Sequence, residues 1–135
     1  VGTHTFNIGT TKINYTVTDA AGNTTPGTLS VEVKDEEAPK ITLGSSISKT
    51  TDAGLCTAAI TIPGASFSDN CSGSSIAWDL SGATTGSGNG QIGTHTFNIG
   101  TTTINYTVTD AAGNTTPGTL SVEVKDEEAP KITLG

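Results

Sequence analysis

INYTVTDAAGNTTPGTLSVEVK, residues 104–125, carries the reading of the whole chain. Ile104, Tyr106 and Val108 alternate with Asn105, Thr107 and Thr109, and Leu120, Val122 and Val124 alternate with Ser121, Glu123 and Lys125. Successive side chains of a strand point to opposite faces, so each run has one buried and one wet face. The connection between them, Asp110-Ala-Ala-Gly-Asn114, has the Asp, Gly and Asn of a tight turn and predicts a hairpin.

The same string begins again at Ile13. His4 and His95 set a period of 91 residues, and of the 44 positions aligned between residues 1–44 and 92–135 only Val1/Ile92 and Lys12/Thr103 differ. Solenoid repeats run roughly 20 to 50 residues, whereas about 100 suits a whole β-sandwich domain. Each period therefore reads as a bead. Charge followed by Pro ends one strand and starts another, at Asp35-Glu-Glu-Ala-Pro39 and at Asp126-Glu-Glu-Ala-Pro130. The predicted division is residues 1–35 as the C-terminal half of a preceding repeat, 36–126 as one complete domain, and 127–135 as the first strand of the next. The chain then reads as an excerpt of a longer array.

Further strands are predicted at 40–43, 48–51, 56–62, 76–80 and 94–97, with the Gly-rich stretch 82–90 as a mobile loop. About seven short strands at this spacing argue for an all-β, immunoglobulin-like β-sandwich, repeated in tandem. Trp78 and Tyr106 (Tyr15 in the partial copy) read as core rings, with the tyrosine hydroxyl bonded to backbone near a strand corner. The alternative for Trp78 is an exposed platform for a sugar ring.

Composition excludes several functions. Net charge is −7 and all six cations are Lys, so a polyanion would be repelled and nucleic-acid binding is not expected. No apolar run approaches the roughly 18 residues of a membrane span, and no charged-then-apolar leader opens the chain. His95 sits in a Thr-rich strand without a nucleophile motif and reads as an exposed strand residue. No GxSxG, HExxH or P-loop string occurs, so the chain is not read as an enzyme. The five Asn-x-Ser/Thr strings, at Asn14, Asn23, Asn70, Asn105 and Asn114, are what a chain with 27 Thr gives by chance.

Cys56 and Cys71 lack zinc or thioredoxin spacing. One disulfide between them is the preferred reading, and it points outside the cytoplasm.

Ile99-Gly-Thr-Thr-Thr-Ile-Asn-Tyr-Thr-Val-Thr-Asp-Ala-Ala-Gly-Asn114, with Ser68-Asp-Asn-Cys71 and Ala53-Gly-Leu-Cys56, resembles the hyalin repeat (HYR) family of immunoglobulin-like extracellular modules. The resemblance covers the whole period. It implies an extracellular or cell-surface location. Members often carry two further cysteines near the first and last strands, where this chain has Thr42-Leu43 and Leu120-Ser121. The near-identical copies are similar in style to those of giant bacterial surface adhesins and filaments, including gliding adhesins of Bacteroidota.

In such a topology the entry linker, the loop between the second and third strands and the hairpin turn share one pole. That would gather Asp35, Glu36 and Glu37 with Asp69, Asn70 and Asp110, and the linker repeats as Asp126, Glu127 and Glu128. Calcium takes six to eight such hard oxygens. The alternative is that these acids are solvated turn residues. The function read from this is a stalk or spacer repeat of an extracellular adhesin or filament, partnered by neighbouring copies of itself and by other filament chains. The alternative is a glycan- or surface-binding module acting by avidity.

Overall fold

The hairpin forms as read, and it forms twice. In the computed structural model, which describes residues 2–135, β1 (Gly9–Thr18) pairs antiparallel with β2 (Thr24–Val33). The Gly9↔Val33 to Thr18↔Thr24 register of this pair is repeated, 91 residues on, by β10 (Gly100–Thr109) and β11 (Thr115–Lys125). In both turns an Asp closes the loop. Asp110 Oδ1 accepts from the N–H groups of Ala112 and Asn114, and its Oδ2 from the Asn114 side chain; Asp19 does the same for Ala21 and Asn23. Gly113 takes φ +94° in the left-handed region, which glycine enters without steric cost. A turn satisfied by its own residues makes the hairpin independent of what surrounds it.

Two compact units result, one ending at Glu36 and one over Glu37–Gly135. In the second, β3 (Lys40–Thr42), β4 (Ile47–Thr50), β5 (Thr57–Thr61), β6 (Ser66–Ser68), β7 (Ser75–Gly82), β8 (Gly86–Asn89) and β9 (Thr94–Asn98) precede the hairpin. One layer is a five-stranded sheet in the order β4-β11-β10-β7-β8, with β4 parallel to β11. The other is built of the pairs β3-β6 and β5-β9, where β5 and β6 are one chain path interrupted at Pro63-Gly64. No helix occurs among the described residues. The architecture is an all-β immunoglobulin-like sandwich.

Its core sits where the alternation placed it: Ile104, Tyr106 and Val108 of β10 and Leu120, Val122 and Val124 of β11 face Ala58, Ile60 and Phe97 of the opposite layer. Thr102 is the polar exception in this phase. It is fully buried and its hydroxyl accepts from the Thr84 N–H, while the Thr84 hydroxyl accepts from Asn98 N–H, so both hydroxyls are matched.

Four details differ from the sequence reading. The stretch 82–90 is not wholly loop: Gly86–Asn89 is an edge strand on β7, because Gly88 lies opposite Trp78 and leaves room for the indole. A Cβ on Gly88 would stand 2.6 Å from Trp78 Cζ2. His95 is not an exposed strand residue. It is half-buried between Trp78 and Phe97, with ring centroids 5.8 and 5.3 Å away in edge-to-face geometry. The Tyr106 hydroxyl does not bond backbone; it is buried without a hydrogen-bond partner among the described residues. Burial also raises its pKa, keeping the phenol neutral. Tyr106→Phe removes a hydroxyl desolvated without compensation, so urea unfolding is expected to show unchanged or higher stability, by up to about 1 kcal/mol. A loss larger than that contradicts the assignment. Finally, Tyr15 is 53% exposed although Tyr106 is 1% exposed in the same local sequence.

Candidate functional site

The second unit has two poles, and the strands fix what lies at each. Chain entry is held at one pole, where Lys40 pairs with Ser68 and the Thr116 hydroxyl donates to the Pro39 carbonyl. The loop after β6 reaches the hairpin turn there, since a Cβ on Gly73 would stand 3.2 Å from Ala111 Cβ. Entry segment, β6–β7 loop and hairpin turn thus share this pole.

A depression of about 210 Å³ opens at it, lined by Glu37, Ala38, Lys40, Ser68, Asp69 and Asn70. Asp69 Oδ2 accepts from the Cys71 N–H at 3.2 Å, while its Oδ1 is buried without a hydrogen-bond partner among the described residues. Two carboxylates and an amide oxygen supply hard donors, and the Lys40 ammonium beside them supplies a competing positive charge.

Asp110 lies at the same pole, buried and hydrogen-bonded within its own turn. Burial pushes its carboxyl pKa up, and the hydrogen bonds from the Asn114 side chain and from the N–H groups of Asn114, Ala112 and Gly113 outweigh this and hold it below the ordinary carboxylate range. Both of its oxygens accept hydrogen bonds within the turn. A carboxyl with a depressed folded-state pKa contributes stability above its unfolded pKa, near 3.9, and that contribution disappears as pH falls through the folded value. Acid unfolding of the second unit is therefore expected to show a limb below about pH 4 that Asp110→Asn flattens. An unchanged limb in that variant places the linkage elsewhere.

The second linker copy stands at the opposite pole. There the Thr51 N–H donates to the Lys125 carbonyl and the Gly54 N–H to Glu128 Oε2, both at 2.9 Å, and Asp126 Oδ1 accepts from the Glu128 N–H. Glu128 therefore ties the outgoing chain to the β4–β5 turn, and Glu127 is exposed. Asp35 and Glu36 belong to the first unit. Of the residues read as one acidic site, the second unit brings together Glu37, Asp69 and Asn70.

The expected disulfide is corrected by the same geometry. Cys56 follows the β4–β5 turn at the Lys125 pole, and Cys71 lies in the β6–β7 loop at the Asp110 pole. These poles are the two ends of an 11-residue strand, about 30 Å apart at 3.3 Å per residue, where a disulfide needs Cα atoms within about 7 Å. No bond joins the sulfurs. The 14 residues between the cysteines do not double back, because β5 and β6 carry them along the length of the sandwich. Unfolding midpoints are expected to be the same with and without reductant, and the same in Cys56→Ser/Cys71→Ser. A drop of several degrees on reduction would contradict this placement.

Comparison with known proteins agrees with this architecture. Hyalin of Strongylocentrotus purpuratus is 28% identical over 140 residues, an alignment covering 96% of this chain. The chain spans about a tenth of that protein's length. The HYR domain family matches residues 2–33 and again residues 34–124, one match on the hairpin unit and one on the sandwich. The chain belongs to the HYR domain family.

Proposed function

We propose that this chain is a load-bearing spacer of an extracellular, adhesion-related surface protein, in which successive repeats hold a distal part of the molecule away from its anchor. The observation that carries this reading is the parallel pairing of β4 with β11, Ile47↔Val122 through Thr50↔Lys125. The chain enters the sandwich at one pole and leaves at the other, so successive periods add to length. Tension on the two ends pulls β4 and β11 in opposite directions along their axes, loading the hydrogen bonds of the pair together rather than one at a time. The Thr51–Lys125 and Gly54–Glu128 bonds extend the same clamp beyond the strands.

Glycan capture by an aromatic platform lacks this kind of support, since the rings of the second unit are directed to the core: Trp78, Phe67, Phe97 and Tyr106 are buried or half-buried. Calcium, if it acts in this array, has Glu37, Asp69 and Asn70 as its ligands. Small-angle scattering from a chain of three complete periods tests both parts. The spacer reading expects a maximum dimension that grows in proportion to the number of periods. A dimension growing as its square root contradicts the spacer. Lengthening or stiffening on adding calcium to chelated protein, lost in Asp69→Asn, supports the cation site, and an identical profile in both conditions rejects it.

A further inference from the structure

Cys56 and Cys71 mark opposite poles of the sandwich, and a tandem repeat sets the exit pole of each period beside the entry pole of the next. At the exit pole the Gly54 N–H donates to Glu128 Oε2, two residues before Cys56. At the entry pole Glu37 lines the depression with Asp69 and Asn70, and Asn70 adjoins Cys71, whose N–H donates to Asp69 Oδ2. Glu37 and Glu128 are the same residue of the period, in the recurring string Asp-Glu-Glu-Ala-Pro. One glutamate of each linker therefore takes both places: it is held by the β4–β5 turn of the period it leaves, and it lines the depression beside the β6–β7 loop of the period it enters. Two residues of chain reach about 7 Å and one about 3.6 Å, so Cys56 of one period and Cys71 of the next flank a single side chain. The linker keeps the poles close. From Lys125, the last residue of β11, to Lys131, which repeats the first residue of β3, there are six steps, at most about 22 Å.

We propose that Cys56 of each period and Cys71 of the following one form a disulfide across the junction, so that an array of these repeats is covalently joined from bead to bead. Copies this alike place the same two cysteines at each junction. The other pairings are out of reach, because a disulfide needs Cα atoms within about 7 Å. Within one period the poles lie about 30 Å apart, and Cys71 of one period is separated from Cys56 of the following one by the length of both sandwiches. The bond forms when an external disulfide oxidant accepts two electrons from the two thiols; their two protons pass to its sulfurs, and it leaves as two thiols. Oxidising compartments outside the cytoplasm sustain such bonds.

The bonds change how an array carries tension. Force entering a period at Cys71 leaves it at Cys56 through β6 and β5, 15 residue steps that reach at most about 54 Å. The folded sandwich already spans roughly 40 Å, and the rest of the period is bypassed. An oxidised array pulled by its ends is thus expected to gain only about 15 Å per period, and the full 91-residue step belongs to the reduced chain. The proposal rests on the repeat and on the positions of the cysteines, and it is independent of the load-bearing reading.

The test joins a second copy of residues 36–126 after Asp126 of this chain, which gives two complete periods in tandem. Cys56→Ser and Cys71→Ser are combined to leave two cysteines in each of three variants. One keeps Cys56 of the first complete period and Cys71 of the second, one keeps Cys71 of the first and Cys56 of the second, and one keeps both in the first. Each is checked for native Trp78 emission and oxidised with glutathione disulfide at low protein concentration, and its thiols are followed by titration and intact mass. The junction holds its two sulfurs at high effective concentration, so the first variant should lose both thiols as a monomer at least about tenfold faster than either of the others. The chain with all four cysteines should keep two thiols, Cys71 of the first complete period and Cys56 of the second. A folded first variant that retains its thiols, or a third variant that closes as readily as the first, overturns the proposal, and so does a four-cysteine chain that keeps all four.

Discussion

Phe97→Ala is expected to lower the stability of the second unit by about 3–5 kcal/mol, the range for a fully buried phenylalanine truncated to alanine. Phe6→Ala, made in the identical heptapeptide Thr-His-Thr-Phe-Asn-Ile-Gly, is expected to cost the protein under about 1 kcal/mol, in the range of a surface change. The two rings differ only in what surrounds them. Phe97 is 0% exposed, its strand β9 is paired with β5, and its ring is set edge-to-face against His95. Phe6 is half-buried in a segment that forms no strand, with the His4 ring 5.2 Å away as its aromatic neighbour. Removing Phe97 forfeits the transfer energy of the ring and leaves a cavity between two layers that cannot close over it. A loss of 3–5 kcal/mol is a large part of the stability of a domain this size, so Phe97→Ala should be largely unfolded at 37 °C. Urea titration followed by far-UV circular dichroism reports both units, and Trp78 fluorescence separates the second, because Trp78 is the single tryptophan. Equal losses in the two variants would mean that the first unit is as well covered as the second.

Gly82→Ala is expected to destabilise by about 3 kcal/mol. Two terms add: a non-glycine residue in the left-handed region costs roughly 1–2 kcal/mol, and overpacking a closed site costs about 1–3 kcal/mol. Gly82 has φ +102°, and a Cβ built on it stands 2.4 Å from the Thr101 carbonyl oxygen. That neighbour is backbone of the adjacent strand and cannot rotate away. It also accepts the Ala83 N–H at 3.0 Å, so a shift breaks a hydrogen bond of the turn. Gly90→Ala is the control. Its φ is +81° and a Cβ there meets nothing within 4 Å, so only the conformational term applies and the loss should be about 1–2 kcal/mol. Equal midpoints for the two variants would show that the Thr101 contact yields.

The repeat makes visible which parts of the fold are local and which are not. The hairpin was legible because its alternation and its Asp-Ala-Ala-Gly-Asn turn specify it without help, and it forms in both copies with one register. The core face of β10 and β11 was legible for the same reason. The strand at Thr94–Asn98 is another matter: the same five residues at 3–7 form none, so strand character there belongs to the pairing with β5. The edge strand at Gly86–Asn89 hid behind its glycines, whose purpose is to admit the Trp78 ring, a contact no local pattern announces. The pole that gathers Glu37, Asp69 and Asn70 followed from the topology. The hydrogen bonding of Asp110 within its own turn was written in the Asp-x-x-x-Asn spacing and could have been read there. The cysteine pairing was read from the number and spacing type of the cysteines, which carry no distance, whereas β5 and β6 run nearly the length of the sandwich between them.

Pulling single chains of several complete periods by their ends tests the load-bearing reading most directly. The account predicts a sawtooth of separate unfolding events of similar force, spaced by one period. Ninety-one residues extend to about 330 Å at 3.6 Å each, so each step should release that length less the roughly 40 Å spanned by a folded sandwich of strands this long. Smooth extension at low force, or steps unrelated to a 91-residue period, would contradict it.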